Sequence, residues 1–140
     1  MTRRINRCID LFEAGHPIYV THVDGLTYES GRDHASTWAD ALIADFEHAP
    51  FDTVGLLAFM RGLVDGGPTP DGYRMPTVLA TLPSNCRSRL EMEANAWQVR
   101  HVLSAGVHGV LHTHARCAEA VRAFVESCRY PFHQAGVGEH

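Results

Sequence analysis

The sequence predicts an α/β protein built on a parallel sheet of about four strands. Short runs of branched apolar residues recur along the 140-residue chain, each is followed by apolar residues at helical spacing, and Gly or Pro residues separate the units. Strands and helices that alternate in this way favour parallel pairing through right-handed crossovers. With 45% hydrophobic residues the chain can bury one modest core, so we expect a single domain over residues 1–140.

The first half of the chain holds two predicted β–α units. Pro17–Thr21 is rich in strand-forming residues, and Ser30–Ala39 can form the helix that follows. Ala41–Ala44 is a continuous apolar run, which is typical of a buried strand. Apolar residues then recur at helical spacing from residue 54 to residue 64, until Gly66-Gly67-Pro68 ends the helix.

Two further units follow in the second half. Thr77–Leu82 is predicted as the third strand, and a helix with a buried apolar stripe ends at Gly106. Gly109–His112 is the fourth predicted strand and Ala118–Cys128 the fourth helix. In such a layout the loops after strands carry chemistry, whereas those after helices carry stability.

Composition and charge exclude several classes of function. The formal net charge is −4 and the basic residues are not clustered, so we expect no nucleic-acid partner. No apolar run approaches the roughly 20 residues of a membrane span, and the N-terminus is too polar for a signal peptide. The four cysteines lack metal or disulfide spacing. These features predict a cytoplasmic protein that acts on a small molecule.

The candidate site is the segment Asp45-Phe46-Glu47-His48, which directly follows the predicted strand Ala41–Ala44. Charges are costly inside a sheet but useful at its rim, and a His beside carboxylates can be held in one tautomer as a general base. We therefore predict His48 as the catalytic residue, with Asp45 and Glu47 supporting it. The alternative is a strand end capped by turn-forming polar residues.

Three motifs in order along the chain resemble one enzyme family. Asp45-x-Glu47-His48-Ala49-Pro50 is followed by Ala105-Gly106-x-x-Gly109-Val110 and by Arg129-Tyr130-Pro131, and the match extends back to Glu13-Ala14-Gly15-x-Pro17. This ordered set is similar to the HpcH/HpaI aldolase/citrate lyase family, of the 4-hydroxy-2-oxo-acid aldolase type. The resemblance implies a TIM barrel, a small 2-oxo acid substrate, a divalent metal (Mg²⁺ or Mn²⁺) and His48 as the catalytic histidine.

The resemblance covers only the first half of the family pattern. A complete (β/α)₈ barrel needs roughly 250 residues, and four β–α units are half of one. The family resemblance implies that the metal-binding Glu and Asp lie outside this chain, which is then either a fragment or a natural half. We therefore expect a partner half-barrel or a homo-oligomer.

Lysine is absent, because all twelve basic residues are arginine. A Schiff-base aldolase needs a lysine amine, so an aldolase built from this chain would have to stabilise its enolate with a metal Lewis acid. The same usage can also reflect the nucleotide composition of the source genome.

Two positions depart from the family pattern. Where the family has a carboxylate-binding Arg the chain has Leu79, and where it has the Asp that pairs with the catalytic His the chain has Ser104. We predict that Ser104 supports the site more weakly and that Arg87 or Arg89, on the loop after the third strand, binds the substrate. The alternatives are that both arginines are solvated loop residues, and that the protein is a non-catalytic barrel subunit.

His112 and His114 are two residues apart at the end of the fourth predicted strand. Alternation along a strand places their side chains on the same face, where they could ligate a transition metal or flank a substrate. A His-x-His pair alone is more often structural than functional.

Overall fold

A computed structural model describes residues 4–130 as one layer of parallel strands covered by helices. The sheet has four strands in the order β1-β2-β3-β4, and every neighbouring pair is parallel. In chain order the elements are α1 (Arg7–Glu13), β1 (Val20–His22), α2 (Tyr28–His34), β2 (Ala41–Ala44), α3 (Thr53–Asp65), β3 (Thr77–Ala80), α4 (Arg89–Ser104), β4 (Gly109–Val110) and α5 (Ala118–Ser127). The predicted α/β class and the four β–α units are confirmed.

The element that the sequence analysis missed is α1. Its N-cap is Asn6, whose side chain accepts a hydrogen bond from the Ile9 N–H, and Asp10 lies in its first turn. The helix has no buried residue, so it lacks the apolar stripe on which periodicity depends.

Strand β1 begins later than predicted. Pro17 has no backbone N–H, and the Tyr19 N–H is instead bound by the Asp40 side chain at 2.8 Å, so ladder pairing starts at Val20. Helix α2 also begins earlier than predicted, because the Thr27 side chain caps the N–H of Ser30 at 3.1 Å.

The hydrophobic core lies between the sheet and helices α3 and α4. Alternate strand residues face this core, and they include Leu42, Ala44, Val78 and Ala80, all 1% exposed or less. The opposite face, which would line the interior of a barrel, carries the half-buried Ile43 and Leu79. Polar residues at the ends of the strands therefore project on or beside this second face.

Helices α2 and α3 touch through glycines. A Cβ added at Gly31 would lie 2.1 Å from the Phe59 carbonyl oxygen, and one at Gly62 would lie 2.1 Å from the Tyr28 carbonyl oxygen. Backbone therefore packs on backbone at this crossing, which fixes α2 behind the sheet. No helix among residues 4–130 combines the length and apolar character that a bilayer crossing requires.

Candidate functional site at the carboxyl ends of the strands

Asp45 is the centre of the polar residues that follow β2. Its Oδ1 accepts hydrogen bonds from the Thr81 hydroxyl at 2.8 Å, from the Glu47 N–H at 2.9 Å and from the His48 N–H at 3.3 Å. The Thr81 Oγ1 in turn accepts from the buried Phe46 N–H at 2.8 Å. These bonds fix the turn that carries residues 45–48.

Sequence reasoning did not identify Thr81. The strand register pairs Ala44 with Ala80, so the next residues, Asp45 and Thr81, lie side by side on the same face. Thr81 could have been found from the sequence, because it directly follows β3 just as Asp45 directly follows β2. It was missed because the third strand was predicted to extend to Leu82, and a Thr inside a strand is common.

His48 is held by Asp45. Its Nδ1 lies 2.8 Å from Asp45 Oδ2, and because an ionised carboxylate can only accept, Nδ1 is the donor. In the neutral imidazole the lone pair is then on Nε2, and the side chain is 74% exposed. The hydrogen bond and charge of Asp45 raise the pKa of His48. His48 is therefore an imidazole that a carboxylate orients and whose Nε2 is open to solvent.

Asp45 itself stays ionised at neutral pH. Burial raises its pKa, but the hydrogen bonds from His48, from Thr81 and from the backbone N–H groups of Glu47 and His48 outweigh that effect and lower the pKa to about 2. His22, at the end of β1, lies 3.9 Å from the same carboxylate.

Glu47 connects this turn to the loop after β4. Its Oε1 is hydrogen-bonded to Nε2 of His114 and lies 3.9 Å from Nε2 of His48. The hydrogen bond with His114 lowers the pKa of Glu47, so the carboxylate is ionised beside two imidazoles. We call Asp45, Glu47, His48 and His114 the strand-end cluster.

His112 does not share a face with His114. Strand β4 ends at Val110, so the alternation assumed for the pair does not continue through residues 112–114. Instead, the His112 ring packs on Phe124 with centroids 4.7 Å apart, and its Nε2 is bound to the Cys86 carbonyl oxygen at 2.7 Å. The prediction that these two side chains lie on the same face is wrong, and of the two only His114 reaches the cluster.

Ser104 is not brought to His48 within the chain. It is the last residue of α4, which runs back from the carboxyl ends of the strands to their amino ends, and its Oγ donates to the Arg100 carbonyl oxygen at 2.6 Å. The carboxylate that orients His48 is Asp45, three residues earlier on the same turn. The expected support from Ser104 is therefore supplied locally.

Arg87 and Arg89 are paired with carboxylates elsewhere. Arg87 Nε lies 3.3 Å from Glu91, and Arg89 lies 2.7 Å from Glu93 and 3.3 Å from Glu126. Among residues 4–130 these contacts direct both guanidiniums towards helices α4 and α5 and not towards His48. Substrate binding by either arginine stays a prediction, and it would require the exchange of a carboxylate partner.

Leu79 lies in the interior-facing row of the sheet. Its register partners are Ile43 on β2 and Gly109 on β4, and a Cβ added at Gly109 would lie 3.0 Å from Leu79 Cδ2. The Leu79 side chain thus extends over the glycine. The surface next to the strand-end cluster is therefore apolar at Leu79, the position where the family resemblance implies an arginine side chain.

The cluster does not offer a cage for Mg²⁺ or Mn²⁺. Asp45, Glu47 and His48 each bring a potential ligand atom within 4.8 Å of the others. These hard cations take mainly oxygen ligands. Asp45 Oδ1 already accepts three hydrogen bonds, while Asp45 Oδ2 and Glu47 Oε1 are each hydrogen-bonded to an imidazole. The carboxylate ligands expected for such a cation stay a prediction outside this chain.

The fold and the strand-end residues define a TIM-barrel-type α/β protein of which half a barrel is present. No family model matches the chain, and no curated protein matches it. Among solved structures, it is similar to the crystal structure of an HpcH/HpaI aldolase/citrate lyase family protein from Burkholderia cenocepacia J2315, with a TM-score of 0.66 and 18% identity. The match covers 86% of this chain and 41% of that one. The fold implied by the sequence motifs is confirmed.

Proposed function

We propose that the chain forms the N-terminal half-barrel of a carbon–carbon lyase of the aldolase type, acting on small 2-oxo or hydroxy acids. The observation that carries this proposal is the bond between Asp45 and His48 at the carboxyl end of β2, in a fold shared with an aldolase-family structure. Catalytic residues of TIM barrels lie at this end of the strands. As a half-barrel, the chain would be completed by a partner half or by further copies.

In the proposed reaction, His48 moves the proton. Its Nε2 takes the proton of the substrate hydroxyl as the carbon–carbon bond breaks and the bonding electron pair passes to the enolate. In the reverse direction it returns that proton to the new alkoxide, and Asp45 stabilises the imidazolium in either case. Thr81 and the two backbone N–H groups hold Asp45 in place throughout. The orienting role that the family resemblance assigns to the position of Ser104 passes to Asp45.

The complete enzyme is proposed to depend on Mg²⁺ or Mn²⁺ bound by carboxylates outside this chain. When bound, such a cation supplies charge stabilisation for an enolate, which the lysine-free chain cannot provide through a Schiff base. Leu79 cannot bind a carboxylate, so the substrate carboxylate would have to be held by another group, or the substrate would be bulkier or less anionic than pyruvate.

The test is His48→Ala in the complete assembly, assayed by exchange of the pyruvate methyl protons with D₂O and by retro-aldol turnover. We expect a loss of about 10²–10⁴-fold with unchanged folding, because general base catalysis contributes that much and an exposed rim residue bears little packing. The matched control is His16→Ala, an exposed histidine just after α1.

Unchanged turnover together with a lower unfolding temperature in His48→Ala would contradict the proposal. Residues 45–48 would then act only as a strand-end cap, and the chain would be better described as a non-catalytic barrel subunit.

A further inference from the structure

We propose that Glu47, His48 and His114 form a binding site for a transition-metal ion that prefers imidazole ligands, such as Zn²⁺ or Co²⁺. This site is distinct from the Mg²⁺ or Mn²⁺ requirement of the proposed aldolase reaction, whose ligands are expected outside the chain. It uses His114, which the proposed proton transfer does not need.

Two imidazole nitrogens lie near one carboxylate oxygen at the end of β2, although among residues 4–130 only Asp45, Glu47 and His48 have ligand atoms that all lie within 4.8 Å of one another. Glu47 Oε1 contacts Nε2 of His114 and lies 3.9 Å from Nε2 of His48. The Glu47 side chain is 20% exposed, while those of His114 and His48 are 46% and 74% exposed. One carboxylate oxygen thus faces two imidazole nitrogens at a surface that water and ions can enter.

Both histidine rings have to turn towards a common point to hold an ion, and both are exposed enough to do so. Zinc–nitrogen and zinc–oxygen bonds are about 2.0–2.2 Å long, which places neighbouring ligand atoms of a tetrahedral ion roughly 3.3 Å apart. The separation of His48 Nε2 from Glu47 Oε1 is 3.9 Å, so a rotation of the exposed His48 ring can close it. The His114 ring moves away from Glu47 as the ion takes the place of the proton between them, and the bound neutral imidazole carries its single proton on Nδ1.

Asp45 provides the outer contact that metal-binding histidines usually have. A ligating imidazole commonly donates its other ring N–H to a carboxylate, which fixes the ring and its tautomer. His48 Nδ1 donates to Asp45 Oδ2 at 2.8 Å, which leaves the Nε2 lone pair as its ligand atom. Asp45 is itself fixed by Thr81 and two backbone N–H groups, so His48 is oriented before any ion binds.

The donor set selects the class of ion. Two imidazoles and one carboxylate suit Zn²⁺, Co²⁺, Ni²⁺ or Fe²⁺, whereas Mg²⁺ and Ca²⁺ prefer shells made of oxygen. Three protein ligands leave at least one coordination position for water or a small anion. An ion bound to His48 Nε2 also occupies the lone pair that the proposed base needs, so transition metals should inhibit the aldolase reaction.

The experiment is calorimetry and Co²⁺ visible absorption on the full 140-residue chain without a polyhistidine tag. We expect one stoichiometric site for Zn²⁺ and Co²⁺ in the micromolar range, with Mg²⁺ binding only at millimolar concentration. His114→Gln and Glu47→Gln should each weaken Zn²⁺ binding by tenfold or more.

His22→Gln is the matched control, because His22 lies at the same edge of the sheet but faces Asp45. It should bind Zn²⁺ as tightly as the original chain. Loss of binding in His22→Gln but not in His114→Gln would place the ion on Asp45 and overturn the proposal, as would the absence of any stoichiometric site.

A second measurement uses the original chain and needs no variant. In ¹⁵N–¹H spectra of the histidine side chains, Zn²⁺ should shift the Nε2 signals of His48 and His114 before those of other histidines. Metal binding is read without substrate, so it can succeed where the aldolase proposal fails. Loss of turnover in His48→Ala together with no Zn²⁺ site would retain the aldolase and reject the metal.

Discussion

Two histidines at opposite ends of the sheet show how differently the same side chain is used. His48 follows β2, is 74% exposed at its side chain and donates to a carboxylate that raises its pKa. His108 precedes β4, is half-buried, and its Nδ1 accepts the Val78 N–H at 3.0 Å, while burial lowers its pKa. One imidazole is poised to take a proton, and the other is kept neutral.

The difference lies in the partner of each ring. At the carboxyl ends of the strands the imidazole partner is a side chain that keeps its charge, and the other ring nitrogen faces solvent. At the amino ends the partner is a backbone group of the sheet ladder, so the ring completes the structure. The structural histidine and the proposed catalytic one thus lie at opposite ends of the strands, which is the separation that TIM barrels generally show.

The largest effect should come from Asp45→Asn. Asn keeps an oxygen for Thr81 and the backbone N–H groups but presents an amide N–H₂ to His48, so the imidazole must adopt the tautomer with Nε2 protonated. We expect turnover of the complete assembly to fall by about 10²–10⁴-fold, as for loss of the base itself. The assay is substrate turnover, with urea unfolding to show that stability changes little. Full activity in Asp45→Asn would remove the contrast between the two histidines.

A smaller effect is expected far from the site, at Gly62. Alanine there would place its Cβ 2.1 Å from the Tyr28 carbonyl oxygen, so α2 must move away from α3. Overpacking of this kind costs about 1–3 kcal/mol in the free energy of unfolding, measured by urea denaturation. Gly25→Ala is the control, because a Cβ at Gly25 meets nothing within 4 Å. Equal unfolding midpoints for the two variants would show that the helices are not in backbone contact.

The smallest effect concerns pH and His108. Burial lowers the pKa of His108 below its ordinary 6.5, so the unfolded chain binds this proton more readily. The stability from neutral His108 is therefore fully present above pH 6.5 and decreases as the pH falls through 6.5 towards the folded value. Loss of the bond from Val78 costs about 0.5–1.5 kcal/mol.

His108→Asn isolates this contribution to stability. Its Oδ1 can accept from Val78 without titrating, so urea unfolding at pH 7 and at pH 5 should show a smaller loss of stability than in the original chain. An equal loss in both proteins would mean that His108 does not set the pH dependence.

The sequence predicted the fold where local pattern and burial agree. Strand β2 was predicted with the bounds that the structure has, because all four of its residues are apolar and its flanking segment is sharply polar. Helix α1 was missed because it presents no apolar face. The turn at residues 45–48 was found because carboxylates and an imidazole directly follow a buried strand.

The partners of that turn could not be read from local pattern. Thr81 is 36 residues from Asp45, and His114 is 67 residues from Glu47, so both contacts depend on strand register and loop path. Ser104 was placed by analogy with the family and the two arginines by their position on the loop after the third strand, whereas all three side chains bind groups of helices α4 and α5. Contacts set by tertiary structure were therefore the least predictable.

Phe46 lies between the two carboxylates of the turn and points the other way, into the core. Its side chain is 1% exposed and meets Phe51 edge-on at 5.1 Å, while its N–H is bound to the Thr81 hydroxyl. That amide should exchange with solvent deuterium only when the core opens, although the exposed His48 is two residues away. The residues on either side of it are consequently ordered before any ligand arrives, so a ligand that binds there would lose little entropy in arranging the turn.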